Sequence, residues 1–289
     1  MTARPAATDV SQQGTLLPKT DAAVPPDLGR AERRDWRALL NNKWVLRALF
    51  YGAIAVAWQV TAMVKGEFFL PTIPATISGF GELFTEGYAS SLLTSVRQLV
   101  LGFVIALAIA IPLGALMGRS KIANDIFAPW VNTLFVTPKQ TLLPILIIAF
   151  GIGFWYRAWV VILFAVFFPC INTAAGVHYV DRELREAARA FATGRWRMLT
   201  RIYLPAAAPF IVAGIRLGFG MAVKGMVIAE LWILADTGAL LETFSRSPMR
   251  LDLYYALVVL IIGFAVAVNE LLRWAERKLR PAAHMAGQV

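Results

Sequence analysis

The sequence has few of the residues that build metal centres and disulfides: one cysteine and two histidines in 289 residues. Cys170 cannot form a disulfide within the chain, and because it lies in an apolar run we interpret it as a small core residue. His178 and His284 are far apart and lie near polar segments, so no metal site is predicted. No nucleophile with a neighbouring base is recognisable, and we therefore do not predict an enzyme.

A phosphate-binding loop of the form GxxxxGK[ST] is also missing from the sequence. A chain without that loop is not expected to bind ATP in this way. Any ATP-driven activity would have to take its energy from another subunit. The strand alternation of a membrane barrel is absent as well.

Long apolar runs dominate the sequence. The composition is 58% hydrophobic, with 18 Phe and 9 Trp, which is too apolar for an ordinary soluble domain. Several runs approach or exceed the 20 or so residues that cross a bilayer. These runs predict an all-α polytopic membrane protein with six transmembrane helices, at about 45–64, 90–118, 126–151, 158–178, 206–234 and 254–274.

The remaining segments complete the predicted domain organisation. Residues 1–40 are rich in Ala, Pro, Thr and Asp without periodicity, which predicts a flexible cytoplasmic tail rather than a signal peptide. Residues 41–280 form the transmembrane domain and 281–289 a C-terminal tail. An amphipathic piece at Ala75–Thr85 is predicted to lie along the outer membrane surface. Pro138 and Pro144 are predicted to interrupt the third span, since proline inside a membrane helix frees backbone hydrogen-bonding groups.

The basic residues are distributed unevenly between the two sides of these spans. The formal net charge is +10. The segments predicted inside hold eighteen Lys and Arg residues, against four in the segments predicted outside. Cytoplasmic loops carry such an excess, so both termini and the loop at about 180–205 are predicted to be cytoplasmic. The same pattern accounts for the positive charge without nucleic-acid binding.

Ionisable residues inside the spans are the candidate pathway or gate residues, because a charge in the membrane usually faces the bundle interior or water. The candidates are Lys139, Arg216, Lys224 and Glu230, whereas Arg97, near the outer end of the second span, is expected to snorkel to the interface. For Lys139, beside Pro138, capping of freed backbone carbonyls is an equal alternative. Three basic residues among the four predict an anionic solute. Gly214, Gly218 and Gly220 share one helix, where close helix packing is favoured over a hinge.

The longest charged run of the second half lies at Val180–Pro205. Its first part predicts a short amphipathic helix with an N-terminal cap at Asp181, an apolar face that includes Ala188 and Phe191, and a stop at Gly194. A second short helix is predicted from Arg195 until Pro205 starts the fifth span. The loop is therefore either a docking knob or a basic loop that only sets topology.

A gapped pattern in this loop carries a resemblance to a known family: Glu186-Ala187-Ala188, then a small-residue turn, then Ile202-x-Leu204-Pro205. The pattern resembles the EAA loop of the membrane subunits of ATP-binding-cassette importers. Further stretches, LPTIPATISGFGELF, IPLGALMGRS, PKQTLLPILIIAFGIG and PFIVAGIRLGFGMA, resemble the nitrate, sulfonate, taurine and thiamine-precursor branch. The resemblance covers about 69–280. It departs at Ala192, where the family usually has the glycine, at Lys224, and at Ala235–Glu242, which replaces a Gly-Leu-Gly turn.

The resemblance implies a type I importer permease fold and a set of partners. These are two ATPase subunits that bind ATP and Mg, a second permease copy in a homodimer, and a periplasmic or lipid-anchored substrate-binding protein, in the inner membrane of a bacterium. The implied ATPase-coupling residues are Glu186, Ala187, Ala188, Phe191, Ala192, Gly194, Leu204 and Pro205. No cofactor is expected in this chain.

Two other function classes remain as alternatives. A gradient-driven secondary transporter or ion channel would need no ATPase partner and often shows an inverted repeat, which the two halves do not display. A membrane scaffold or enzyme would be expected to carry a polar catalytic cluster or a soluble domain, and the sequence indicates neither. Co-purification with an ATPase would separate these classes.

Overall fold

A computed structural model of the chain describes residues 43–66, 69–180, 183, 186, 188, 190, 191 and 194–285. The predicted N-terminal tail at 1–40 and the last four residues of the predicted C-terminal tail lie outside this range. The chain divides into a first unit that ends at Ile54 and a second that begins at Ala55. In the first unit, Lys43 to Ile54 are helical, and the Arg47 guanidinium lies 5.3 Å from the centre of the Trp44 ring.

All regular elements of the described chain are helices. In chain order the α-helices are α1 (Lys43–Lys65), α2 (Ile73–Thr85), α3 (Ala89–Arg119), α4 (Lys121–Val136), α5 (Leu143–Phe150), α6 (Phe154–Ala165), α7 (Phe167–His178), α8 (Arg195–Met198), α9 (Leu204–Ile233), α10 (Asp236–Ser245) and α11 (Leu251–Met285). Short 3₁₀ turns occupy Lys139–Leu142 and Pro248–Arg250, and a π-helical segment, Leu199–Tyr203, joins α8 to α9.

Five helical stretches are long and apolar enough to cross a membrane, and a sixth is the bent pair Lys121–Val136 and Lys139–Phe150. The two halves of that pair meet at 98°. The predicted all-α fold is therefore confirmed, and so is the break at Pro138. Pro144, by contrast, lies in the first turn of α5, where proline needs no amide partner.

The packing of α3 shows which way the broken pair crosses. A Cβ on Gly102 of α3 would meet Val161 of α6, and one on Gly118 would meet Val177 of α7. Since a later residue of α3 contacts a later residue of the α6–α7 stretch, α3 runs parallel to α6 and α7. The chain must return between them, so α4 and α5 together make one crossing. We call the end of the bundle that holds Arg119 and His178 the coupling end, and the other end the opposite end.

Helix α7 lies between two helices that approach it through small residues. Gly114 and Gly118 of α3 face its one side, and Gly214 and Gly218 of α9 face its other side. A Cβ on Gly114 would lie 2.8 Å from the Thr173 Cβ, and one on Gly218 would lie 2.9 Å from Pro169. Both pairs have the GxxxG spacing that lets membrane helices come close. Gly214 and Gly218 therefore serve helix packing.

Helices α9 and α11 run antiparallel and form the other side of the bundle. The Phe219 and Phe264 rings are 6.2 Å apart. The connection between them differs from the sequence prediction, which treated 235–253 as a loop. It contains α10, because Thr237, Leu241 and Phe244 bury one face of this segment.

Helix α2 and the end of α1 pack at the opposite end. Trp58 Nε1 donates to the carbonyl of Pro71 at 2.9 Å, and its ring lies 5.5 Å from that of Tyr255 in α11. Arg250 contacts Glu82 at 3.2 Å and Glu86 at 3.0 Å. The ion pairs tie the amphipathic helix to the start of α11.

Candidate translocation groove and coupling surface

An open groove of about 800 Å³ runs along the exposed side of α9. Residues of α9, α11, α6 and α7 form its walls, and most of them are apolar. Its polar side chains are Arg216 and Lys224 of α9, Asn269 of α11 and Gln140 beside the broken span. The groove thus brings together two of the four predicted pathway residues.

Arg216 lies beside an acidic side chain of α11. Its Nε lies 3.5 Å from Glu276 Oε2, and the Glu276 side chain is only 7% exposed. A buried carboxylate beside a guanidinium is favourable only while both remain charged and close. The pair therefore links α9 to α11, and much of the Arg216 charge is already balanced within the chain.

The charge of Lys224 is not balanced by an acidic partner among the described residues. Its side chain is exposed, and it makes no ion pair with any residue in the described part of the chain. At about 1.5 Å per residue it lies roughly 12 Å along α9 from Arg216. Lys224 is therefore the main source of uncompensated positive charge on the groove surface.

Three polar residues of this site were not singled out from the sequence. Gln140 and Asn269 are uncharged, and Glu276 lies beyond the predicted end of the sixth span. A search for uncharged amides within spans would have found Asn269. Glu276 needed the true length of α11, which continues to Met285.

Lys139 does not line the groove. Only 8% of the residue is exposed, and its Nζ donates to the carbonyl of Phe135 at 2.9 Å. Its ammonium group also lies 5.5 Å and 5.2 Å from the centres of the Phe135 and Phe167 rings. This is the geometry of a cap on a carbonyl freed by the helix break, with cation–π support.

Glu230 also faces away from the groove, into a polar cluster at the opposite end. It is fully buried, and Ser95 Oγ donates to its Oε1 at 2.6 Å. The same hydroxyl lies 2.7 Å from Thr237 Oγ1. Glu230 Oε2 has no hydrogen-bond partner in the described chain. The cluster joins α3, α9 and α10.

The turn after Glu230 is tight and strained. Leu234 and Asp236 have φ angles of 48° and 46°, in the left-handed region that glycine favours. Such residues cost of the order of 1–3 kcal/mol each unless their surroundings hold them. Here Asp236 forms an ion pair with Arg157 of α6. This is the region where the sequence departs from a Gly-Leu-Gly turn, which would relieve the strain.

The coupling surface lies between α7 and α9, at the coupling end. Glu183, Glu186, Ala188 and Ala190 are helical, whereas Ala187 and Ala192 lie outside the described residues. Ala188 is 7% exposed and Phe191 is 86% exposed. Trp196, which is not among the predicted coupling residues, is 74% exposed. Phe191 and Trp196 therefore place two large apolar side chains at the surface of one short loop.

The end of this loop differs in detail from the predicted turn. Gly194 stands before α8, and its carbonyl accepts from the Met198 amide at 2.9 Å, so it begins the second helix instead of ending the first. Pro205 does not begin a separate helix either. The stretch from Trp196 to Ile233 is continuous, and Pro205 lies in the first turn of α9 after the wider π-helical segment.

A family model described as "Binding-protein-dependent transport system inner membrane component" matches residues 110–281. The match covers more than half of the chain. The chain belongs to this family. It is accordingly a multi-pass membrane permease of the ATP-binding-cassette importers, and the branch suggested by its motifs is also confirmed by its relatives.

Two curated relatives match the permease over most of its length. The putative aliphatic sulfonates transport permease protein of Bacillus subtilis is 30% identical over 268 residues, which cover 91% of this chain and 94% of the relative. The taurine transport system permease protein of Escherichia coli is 28% identical over 261 residues, covering 87% and 94%.

A solved structure supports the fold. The crystal structure of an amino acid ABC transporter with histidines aligns with a TM-score of 0.56, covering 68% of this chain and 95% of the other. At 19% identity the similarity concerns the fold alone.

Proposed function

We propose that this permease forms the translocation path of an ATP-driven importer for a small solute with an anionic group, such as an alkanesulfonate, taurine or nitrate. The groove along α9 supports this most directly. Two basic residues line it. Glu276 balances much of the Arg216 charge, whereas Lys224 is exposed there and has no ion-pair partner among the described residues. Both relatives are named for solutes that carry a sulfonate group, aliphatic sulfonates and taurine.

The groove is open along one side of α9, and a second copy of the chain would close it in a homodimer. A substrate-binding protein would deliver the anion at the opposite end, which would face the periplasm of a bacterial inner membrane. Type I permeases alternate between two access states. The Arg216–Glu276 pair would keep α9 and α11 moving together between those states.

Energy would enter through the coupling surface. The chain has no phosphate-binding loop, so ATP and Mg would be bound by two partner ATPase subunits. Among the described residues of the loop, Phe191 and Trp196 are exposed apolar side chains that could enter a groove on that partner. Exposed aromatic residues of this kind are typical binding anchors. Glu186, on the same loop, would contact a polar or basic group.

Lys224→Ala tests the anion path. In vesicles that contain the complete transporter, we expect ATP-dependent uptake of taurine or an alkanesulfonate to fall at least about tenfold, since a desolvated anion loses one charge-assisted contact of about 1.5–3 kcal/mol. Lys224→Arg should recover part of the rate. Arg97→Ala, which removes an exposed charge of α3 that is outside the groove, should leave uptake unchanged. Normal uptake of every anion tested in Lys224→Ala would refute the proposal.

Phe191→Ala with Trp196→Ala tests the coupling surface. The double variant should insert normally yet lose most of its co-purifying ATPase. Trp155→Ala is the matched control, since Trp155 is 60% exposed and begins α6 at the opposite end. Ala188 is unsuitable for such a test, because its burial means that a bulky side chain would disturb the permease itself. Full retention of the ATPase by the double variant would contradict the docking role.

A further inference from the structure

A second site lies on the bundle between α3, α4 and α7, away from the groove. At the coupling end these helices enclose a pocket of about 550 Å³. Its polar lining residues are Arg119, Lys121, Asn124, His178 and Tyr179. Neither basic side chain is paired with any residue that the structure describes. Asp125 follows Asn124 on α4, is exposed, and does not line the pocket. We call this the basic pocket.

A separate apolar crevice of about 480 Å³ lies about one helical turn farther toward the middle of the bundle and shares no lining residue with the basic pocket. Helices α3, α4 and α7 contribute residues to both the basic pocket and the crevice. Along each helix, the residues that line the two cavities are about one turn apart. Met117 gives way to Leu113 on α3, Asn124 to Phe127 on α4, and Ala174 to Cys170 on α7. Trp130 and Trp159 also line the crevice. The crevice contains almost no polar surface among its described lining residues.

A basic pocket followed along the helices by an apolar crevice is complementary to a molecule with an anionic head and a hydrocarbon chain. The pocket supplies two cations and hydrogen-bond donors where α3 ends and α4 begins, at the level expected for the membrane surface. The first turn of α4 adds the positive end of a helix dipole. The crevice supplies hydrocarbon contacts at depths that an acyl chain reaches. We propose that an anionic phospholipid binds here, with its phosphate in the basic pocket and an acyl chain in the apolar crevice.

A free phosphate, a zwitterionic lipid and a second protein copy fit less well. A free phosphate would leave the crevice unused. A zwitterionic headgroup would bring its own cation next to Arg119 and Lys121. A protein copy would need complementary acidic residues, and the described acidic side chains lie mainly at the opposite end or in ion pairs. Basic pockets between transmembrane helices are known to hold anionic headgroups.

The position of the site links it to the coupling surface. His178 is the last residue of α7, and the coupling loop begins directly after it. A lipid that bridges Arg119 of α3 and His178 would fasten the end of α7 on the side away from α9. The bound lipid would thus stabilise the base from which the loop projects.

Native mass spectrometry tests the proposal with the full-length chain, purified in mild detergent with any subunits that accompany it. The probes are dioleoyl phosphatidylglycerol and dioleoyl phosphatidylcholine, whose acyl chains are identical. We expect one phosphatidylglycerol per chain to bind at about tenfold lower concentration or less. Arg119→Gln with Lys121→Gln should abolish that preference, since each basic residue beside an anionic lipid contributes about fivefold.

Three controls distinguish a lipid site at the basic pocket from nonspecific charge attraction, loose lipid adsorption and free-phosphate binding. Arg277→Gln with Lys278→Gln removes two exposed charges from α11 and should leave the preference intact. Ile109→Trp, which fills the crevice, should weaken binding of both lipids several-fold. Glycerol phosphate at millimolar concentration should not displace the bound lipid.

The proposal is overturned by any of four results. These are equal binding of the two lipids by the parent chain, an equal loss in the α11 control, displacement by glycerol phosphate, and a change of oligomeric state without a change in lipid binding in the Arg119/Lys121 variant. The third result would indicate a free-phosphate site, and the fourth would indicate an interface between copies. Size-exclusion elution of each variant checks that it is folded.

Discussion

Gly114→Ala should separate two helices that are packed almost backbone to backbone. The new Cβ would lie 2.8 Å from Thr173 Cβ and would also overlap the carbonyl of Cys170. An ordinary carbon contact begins near 3.4 Å, so α3 must move away from α7 by at least roughly 0.6 Å. Neither atom can be moved by a side-chain rotation, because one is a backbone oxygen and the other a β-carbon. The movement also weakens the neighbouring contact at Gly118.

The expected cost is about 1–3 kcal/mol, the range for overpacking in a close-packed interior. For a protein of this size that corresponds to a fall of about 2–4 °C in melting temperature for each kcal/mol. Thermal unfolding in detergent, followed by the remaining monodisperse peak on size-exclusion chromatography, measures it. Gly263→Ala in α11 is the control, since a Cβ there meets nothing within 4 Å. Equal melting temperatures for Gly114→Ala and the parent would show that α3 and α7 are not in close contact.

Three further outcomes are expected from thermal unfolding and, for Lys139, from uptake assays as well. Leu234→Gly should raise stability by about 1 kcal/mol, because it relieves a positive φ at a half-exposed side chain; a loss of stability would contradict the strained turn. Lys139→Met should lower the melting temperature while leaving the ranking of anions in uptake assays unchanged, as expected of a carbonyl cap; an altered ranking would return Lys139 to the pathway. Arg157→Asp with Asp236→Arg should recover part of the stability that either single change loses, and a purely additive double variant would show that the two side chains do not interact.

Hydropathy and proline positions were enough to predict most of the fold. Each predicted span has a helix, because about 20 apolar residues bounded by charges leave few alternatives in a membrane. The break at Pro138 followed from the same argument. The helix α10 could not be predicted in this way, because it is short, only partly apolar, and formed by packing against α3, α9 and α11.

The direction of individual side chains was harder to predict than the position of the helices. Arg216, Lys224 and Glu230 lie on one polar side of α9 by helical periodicity. In the structure Glu230 points to Ser95 and Thr237, whereas Lys224 lines the groove. Periodicity gives the angle between residues of one helix, but the neighbours that occupy each angle are set by the tertiary packing. Whether any of these residues contacts a solute stays a prediction.

The bent pair of α4 and α5 has a consequence for how the protein is made. Its halves have 16 and 8 residues, so neither alone spans the hydrocarbon core, which takes about 20. The break also exposes backbone carbonyls that lipid cannot satisfy, and Lys139 can satisfy only the one at Phe135. During synthesis this segment would therefore be a poor membrane-integration signal by itself. We expect it to be retained beside the insertion machinery until α6 and α7 have emerged, so that the third crossing forms together with the fourth.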